Sequence, residues 1–301
     1  MFEIAHSDEG TEQPAIVAGN LPAPVASSRS RGWNGLVVER FRTESLDVVM
    51  RLPAVLVTLH FGPRVDFVQT RHRQVDRRRL GQGDATVTTA GEPKGWQVRG
   101  RAEFAAVWLD PTLIGNVAAH SDDIAPEQVE LVDNFGTPDA QLKRVVLSLL
   151  LELEHEQCAA GIVVESLAIE LTVHLLRRYS RAASVESPAR SGACTLPASK
   201  LRRVSEYLDN HLRDDVTLAE IAQVVGMSPY HFARRFKQST GIAPHQYLIA
   251  RRMALARSLL RETDLPIGEI AHRVGCSNQS HFSTLFHRAE AVTPRMFRQM
   301  N

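Results

Sequence analysis

Cysteine is scarce in this chain, with only Cys158, Cys194 and Cys276 among 301 residues. The three lie far apart and form no C-x-x-C or Cys/His cluster. That argues against a zinc site and against a disulfide scaffold, and it fits a reducing compartment. Long apolar runs are missing as well. No stretch approaches the roughly 18 residues of a membrane span. The start, MFEIAHSDEG, carries acids where a signal peptide needs a basic region and an apolar core. These absences point to a cytoplasmic protein with no membrane partner. Net charge is nearly absent too, at +1, but the balance is uneven along the chain. From Ser199 to Asn301 there are 15 Lys/Arg against 9 Asp/Glu, and the preceding residues hold 20 against 25. A basic half beside an acidic half hints at one domain that meets a polyanion.

What is present suits an ordinary soluble protein, with 44% hydrophobic and 23% charged residues. The length allows two domains, each with its own core. Residues 1–31 are rich in Pro, Ser, Ala and Gly without periodicity, which predicts a largely disordered segment. Residues 32–120 hold short apolar runs broken by turn residues (GLVVERF, AVLVTLHF, VDFV, DATVTT, FAAVWLD) and read as strands of a sandwich or barrel. Residues 121–183 turn helical. Leu142, Val145, Val146, Leu149, Leu150 and Leu153 make one apolar stripe, and Val164, Leu167, Ala168, Leu171 and Leu175 make another. These stripes either pack on the β domain or form a dimer. Residues 184–198 are a polar connector with Pro, Gly and Ser, and residues 199–301 form the last domain.

That last domain says the same thing twice. IAQVVGMSPYHFARRFKQSTGIAPHQY runs from Ile221 to Tyr247, and IAHRVGCSNQSHFSTLFHRAEAVTPRMF from Ile270 to Phe297. Each copy opens with a short apolar helix signal that ends at a glycine, Gly226 or Gly275. The left-handed turn conformation costs glycine nothing and costs other residues much. Thr217 and Glu220 form a capping box ahead of the first copy. Ser228-Pro229 caps its second helix, and Ser277 or Asn278 does so in the second copy. Short helix, tight turn and capped helix make a helix-turn-helix. The anchors Phe232/Phe236 and Phe282/Phe286 are kept. The residues between them differ: Tyr230, Ala233, Arg234 and Lys237 against Ser280, His281, Thr284 and His287. A fixed scaffold with two unlike outer faces suits the reading of two DNA segments, although a solvated face would also drift after duplication. Residues 245–261 join the copies as a helix of about 25 Å, with Ile249, Met253, Ala256 and Leu260 on one stripe.

On these motifs, residues 199–299 resemble the DNA-binding domain of the AraC/XylS family of bacterial transcription regulators. The resemblance implies two helix-turn-helix units on a long helix, entering adjacent major grooves of duplex DNA. It assigns base contacts to Tyr230, Ala233, Arg234, Ser280, His281 and Thr284. Contacts to phosphate, or from helix N-termini, fall to Ser228, Lys237, Asn278, Gln279 and His287. The chain departs from the family at Gly275-Cys276, at Thr284, where an arginine is usual, and at Glu290-Ala291, where a Phe-Gly pair is usual. A bidentate Arg–guanine contact discriminates by about 1–3 kcal/mol, so its loss at Thr284 leaves Arg234 with more of the specificity.

The amino-terminal half resembles the cupin-like effector domain of such regulators, through GDATVTTAGEPKGW (Gly83–Trp96). This implies an α+β chain: a cupin-like β-barrel with following helices, then the all-α domain. A metal-binding cupin has a histidine near Lys94 and a His-x-His pair before it. Only His60 and His72 appear here, so no metal and no cofactor are expected. The resemblance also implies a small-molecule effector of unassigned site, a homodimer through residues 139–178, and RNA polymerase as a further partner. Nothing in the sequence assigns His60, Arg64, Trp96 or Trp108 to a pocket. The alternatives are a cupin-type enzyme fused to a DNA-binding domain and a DNA-repair protein with a reactive cysteine. Cys276 is either a redox switch beside the second recognition helix or a small core residue in place of an aromatic.

Overall fold

The structure, a computed structural model, describes residues 14–71, 74–119, 130–154, 160–181 and 195–300. His72, Cys158 and Cys194 lie outside them. Two compact units emerge, one from residues 1–153 with 168–188, the other from residues 154–167 with 189–301.

The first unit is an antiparallel sheet. Its strands are β1 (Ala15–Asn20), β2 (Ala26–Ser27), β3 (Leu36–Arg51), β4 (Val55–His60), β5 (Val65–Arg71), β6 (Gln74–Leu80), β7 (Asp84–Thr88), β8 (Lys94–Leu109) and β9 (Asn134–Pro138). The order is β1-β3-β8-β4-β7-β9, with β2 on β3 and the β5–β6 hairpin on β8. Two 16-residue strands, β3 and β8, form its spine. The free edge of β8 serves two partners: residues 94–99 pair with β5, and residues 104–109 with β4. Gly100, at φ +105, sits where the partner changes. Phe67 on β5 lies 5.6 Å from Phe135 on β9, so the sheet curls and brings its far members together. Among the described residues no ladder closes it. One cluster fills the inner face, with Phe41, Met50, Phe67, Trp96, Phe104 and Trp108 among its members.

The expectation of disorder through residue 31 is corrected here. Residues 15–20 form β1, paired with residues 47–51 of β3. All six are exposed, so backbone pairing alone holds the strand, and no apolar alternation marks it in the sequence.

Between β8 and β9 lies α1 (Pro111–Ala119), and after β9 come α2 (Ala140–Glu154) and α3 (Ala160–Arg178). Every residue of the two expected stripes on α2 and α3 is buried within the chain. Those stripes are therefore not free to receive a second copy; on α2 the large apolar side chains left exposed are Leu147 and Leu151. Asp139 caps α2 through the amide of Leu142, and its other oxygen accepts from Tyr179 Oη at 2.8 Å and lies 2.7 Å from His174 Nε2. No described helix is long and apolar enough to cross a membrane.

The second unit carries α4 (Ala198–Asn210), α5 (Leu218–Val224), α6 (Pro229–Thr240), α7 (Pro244–Glu262), α8 (Ile267–Arg273), α9 (Gln279–Glu290) and α10 (Pro294–Met300). The repeat read from the sequence is a repeat in space. Phe236 meets Phe232 and, edge-on, Tyr247, each at 5.4 Å. Phe286 meets Phe282 at 5.7 Å and, edge-on, Phe297 at 5.4 Å. Edge-to-face contacts of this kind add about 0.5–1.5 kcal/mol beyond area burial, so each unit carries its own aromatic lock.

Candidate nucleic-acid interface

Each unit presents a capped helix after a glycine turn. In the first, the hydroxyl of Thr217 accepts from Glu220 N at 3.2 Å, and the Glu220 carboxylate accepts from Thr217 N at 2.7 Å. This capping box starts α5. Gly226 makes the turn at φ +63. Ser228 then caps α6 by accepting from His231 N, with Pro229 at the first helical position. The second unit starts α8 behind Pro266, turns at Gly275 (φ +76), and begins α9 with Asn278 Oδ1 accepting from Ser280 N at 2.7 Å. These caps each satisfy one of the free amides in the first turns of α6 and α9.

The residues expected to face DNA differ in exposure. Lys237, Asn278, Gln279, Ser280, Thr284 and His287 are exposed. Ser228, Ala233, Arg234 and His281 are half-buried. Tyr230 is the correction. It is only 6% exposed and its ring lies 5.8 Å from that of His231. Side chains of a helix lean toward its N-terminus. For a first-turn residue that direction is the preceding turn, so a large ring at 230 folds back rather than out. One assigned group is partly committed: Thr284 Oγ1 donates to Ser280 O at 3.1 Å.

The structure also adds residues. An offset of 50 pairs Phe232 with Phe282, and so it pairs His231 with His281 and Ala233 with Ser283. The two sets read from the sequence were therefore not equivalent. Gln238 and Arg288 are exposed one turn beyond Arg234 and Thr284. Their i+4 spacing from those positions was the signal that could have found them. The exposed side of α6 thus carries Arg234 and Lys237, and that of α9 carries His287 and Arg288. Glu290, which departs from the family pattern, is occupied by Arg257 on α7 at 2.8 Å. Cys276 is 1% exposed in the core of the second unit, the core role that was one of its two readings. Its sulfur is disulfide-bonded, which the spacing of the cysteines gave no sign of.

In the sheet unit, His60, Trp96 and Trp108 are buried and border a small interior space, together with Phe41, Met50 and Phe104. Burial pushes the His60 imidazole down to about 4, against a weaker opposing pull from Asp84. Lys94 lies near the place where the expected cupin resemblance would put a histidine. It is buried, donating to Thr89 O at 2.6 Å and pairing with Asp133 at 3.3 Å.

Comparison with known proteins agrees with this geometry. Residues 221–300 match the model of a helix-turn-helix domain. The chain is 32% identical over 180 residues to the regulatory protein PocR of Salmonella typhimurium, covering 59% of this chain and 56% of that protein. It is 39% identical over 102 residues to the HTH-type transcriptional activator RhaS of Shigella boydii, covering 34% of this chain and 37% of that one. The chain thus spans about half or less of these relatives. Among solved structures, it is 39% identical to the C-terminal domain of AraT, a response regulator from Geobacillus stearothermophilus, covering 34% of this chain and 85% of that one with a TM-score of 0.33. The two helix-turn-helix units at residues 199–301 thus make up a helix-turn-helix domain similar to the matching segments of these regulatory proteins.

Proposed function

We propose that the chain binds duplex DNA sequence-specifically through α6 and α9 and regulates transcription there, gated by a small molecule and acting as a homodimer. The observation that carries the reading is the pair of capped helices, alike in their aromatic anchors and unlike in their outer faces, on one helix. Arg234 and Thr284 occupy the same position in the two units, so the first unit is the stronger reader and the second contributes weaker contacts. Tyr230 acts as a support for the helix start. Ser228, Lys237, Asn278, Gln279 and His287 serve phosphate contacts, which position the protein without selecting sequence. RNA polymerase is the further partner that the family implies.

The interior of the sheet is the place for an effector. It is lined by apolar side chains and a histidine held neutral, which favours an uncharged ligand. The space is about 30 Å³, room for a water or two, so a ligand enters only if side chains rearrange. Such a rearrangement supplies the difference in affinity between two states that gating requires. A second copy would use Leu147 and Leu151.

The test is selection of bound duplexes from random sequence with the full chain. Enrichment of one motif, with contacts in two adjacent major-groove segments, is the expected result. Recovery of unselected sequences, or a footprint confined to one segment, contradicts it.

A further inference from the structure

α7 does more than separate the two units. Its first turn serves the first unit, through Tyr247 against Phe236. Its far half serves the second, where Met253, Ala256 and Leu260 enter the core with Phe282 and Phe286. Between them sits Arg252, 1% exposed, one of the largest fully buried side chains in the chain. Its Nη2 donates to the carbonyl of Asp214 at 2.7 Å, in the loop leading into α5, and its Nη1 donates to the carbonyl of Gly275 at 3.1 Å, in the turn between α8 and α9. One guanidinium thus holds the entrance of the first unit and the turn of the second.

Gly275 shows how closely these pieces meet. A Cβ there would lie 2.5 Å from the Leu212 carbonyl oxygen and 2.8 Å from Arg252 Cζ. At Gly226, the counterpart in the first unit, a Cβ would meet nothing within 4 Å. Gly226 is needed for its turn alone; Gly275 is needed for the turn and for the contact. Burial of Arg252 is costly and lowers its basicity to about 10, against weaker opposing pulls from Asp215 and Asp214. Its Nε finds no hydrogen-bond partner. Replacing a buried charge by an apolar side chain of similar volume is often neutral or stabilising. Stability alone therefore gives a poor reason for an arginine at this point. Geometry gives a better one, because a rigid planar fork with two acceptors from two modules fixes their mutual angle.

We infer that Arg252 is a positioning residue that sets the angle between the two recognition helices, so that both can read one face of DNA at a single spacing. The inference rests on the DNA reading proposed above. The full chain is tested on the duplex that the wild type selects, and on that duplex with about five base pairs, half a helical turn, inserted between the two contacted segments. The wild type loses about tenfold or more on insertion, since one unit forfeits its base contacts. Arg252→Met, which keeps the volume, retains the thermal midpoint and the affinity for random duplex. Its affinity for the selected duplex falls to that for the inserted one, so the insertion penalty drops to about twofold or less. Arg252→Lys keeps the charge but reaches one carbonyl at a time, and it shows the same loss of penalty even if the Met variant fails to fold. If either folded variant keeps the wild-type penalty, Arg252 does not set the angle and the inference falls while the DNA reading stands. If the wild type selects no duplex, the DNA reading falls and takes this inference with it.

Discussion

His60 lies 5.3 Å from Phe67 and 5.7 Å from Phe104, ring to ring, and it titrates near pH 4 when folded against 6.5 when exposed. The unfolded chain therefore binds more protons between those values, and stability is lost as pH falls from about 6.5 to about 4. The shift corresponds to about 3 kcal/mol. Glu152, raised by burial to about 8 from 4.5, gives the opposite slope, with stability falling as pH rises from about 4.5 to 8. Urea unfolding of His60→Leu should lack the acid-side loss, and an unchanged pH profile would refute the assignment. At Arg234 the expectation concerns recognition. Arg234→Ala should lose about 1–3 kcal/mol on the selected duplex and little on random DNA, whereas Lys237→Ala should weaken both alike and flatten the salt slope by about 1. Equal losses on the two duplexes for Arg234→Ala would remove its role in base reading. Ala291 holds φ +60 at the end of α9, where Gly241 closes α6 in the first unit. A left-handed residue other than glycine costs about 1–2 kcal/mol. Ala291→Gly should raise the unfolding free energy by about 1 kcal/mol, measured by denaturant titration.

At the scale of elements, helices marked by chemistry at their ends were legible. Thr217, Glu220 and Ser228 announce themselves by type and spacing, and the structure uses each as a cap. Thr217→Ala should cost about 1 kcal/mol, read as a lower urea midpoint; no shift would mean that the carboxylates of Glu165 and Glu220 suffice to hold the start of α5. Strands were legible only where they alternate or run apolar. β6, QVDRRRL, has one buried residue, Leu80, and β1 has none, so neither carries a burial signal. The full length of β8 was missed for a different reason. Its first part, KGWQVRGRAE, mixes charges with glycines, because one face of that stretch meets solvent although residues 94–99 are paired on both edges. The stripes of α2 and α3 were found residue for residue, but what they pack against was not, since an apolar face looks the same whether its own chain or a second copy covers it.

At the scale of the whole molecule, assembly depends on which apolar side chains stay exposed. The stripes read as faces for either the β domain or a dimer are buried inside the chain, which leaves Leu147 and Leu151, 37% and 40% exposed, on α2. If two copies meet there, Leu147→Lys with Leu151→Lys should convert a dimer to a monomer by light scattering, and a doubled DNA motif to a single one. A dimer that survives both changes must use another surface. The charge asymmetry read at the outset gives residues 199–301, which carry α6 and α9, the excess of basic over acidic side chains.

Local chemistry alone determined the duplicated helix-turn-helix, its caps, its turns and its aromatic anchors, because each of these depends on residues within a few positions of one another. Folding decided that an exposed segment near the start joins the sheet, and that Arg252 is buried at the meeting of two modules. Those outcomes depend on groups 23 to 38 positions apart in sequence, such as Arg252 with Gly275 and Asp214, or on backbone pairing that leaves no side-chain pattern. Neither is written in the spacing of residue types.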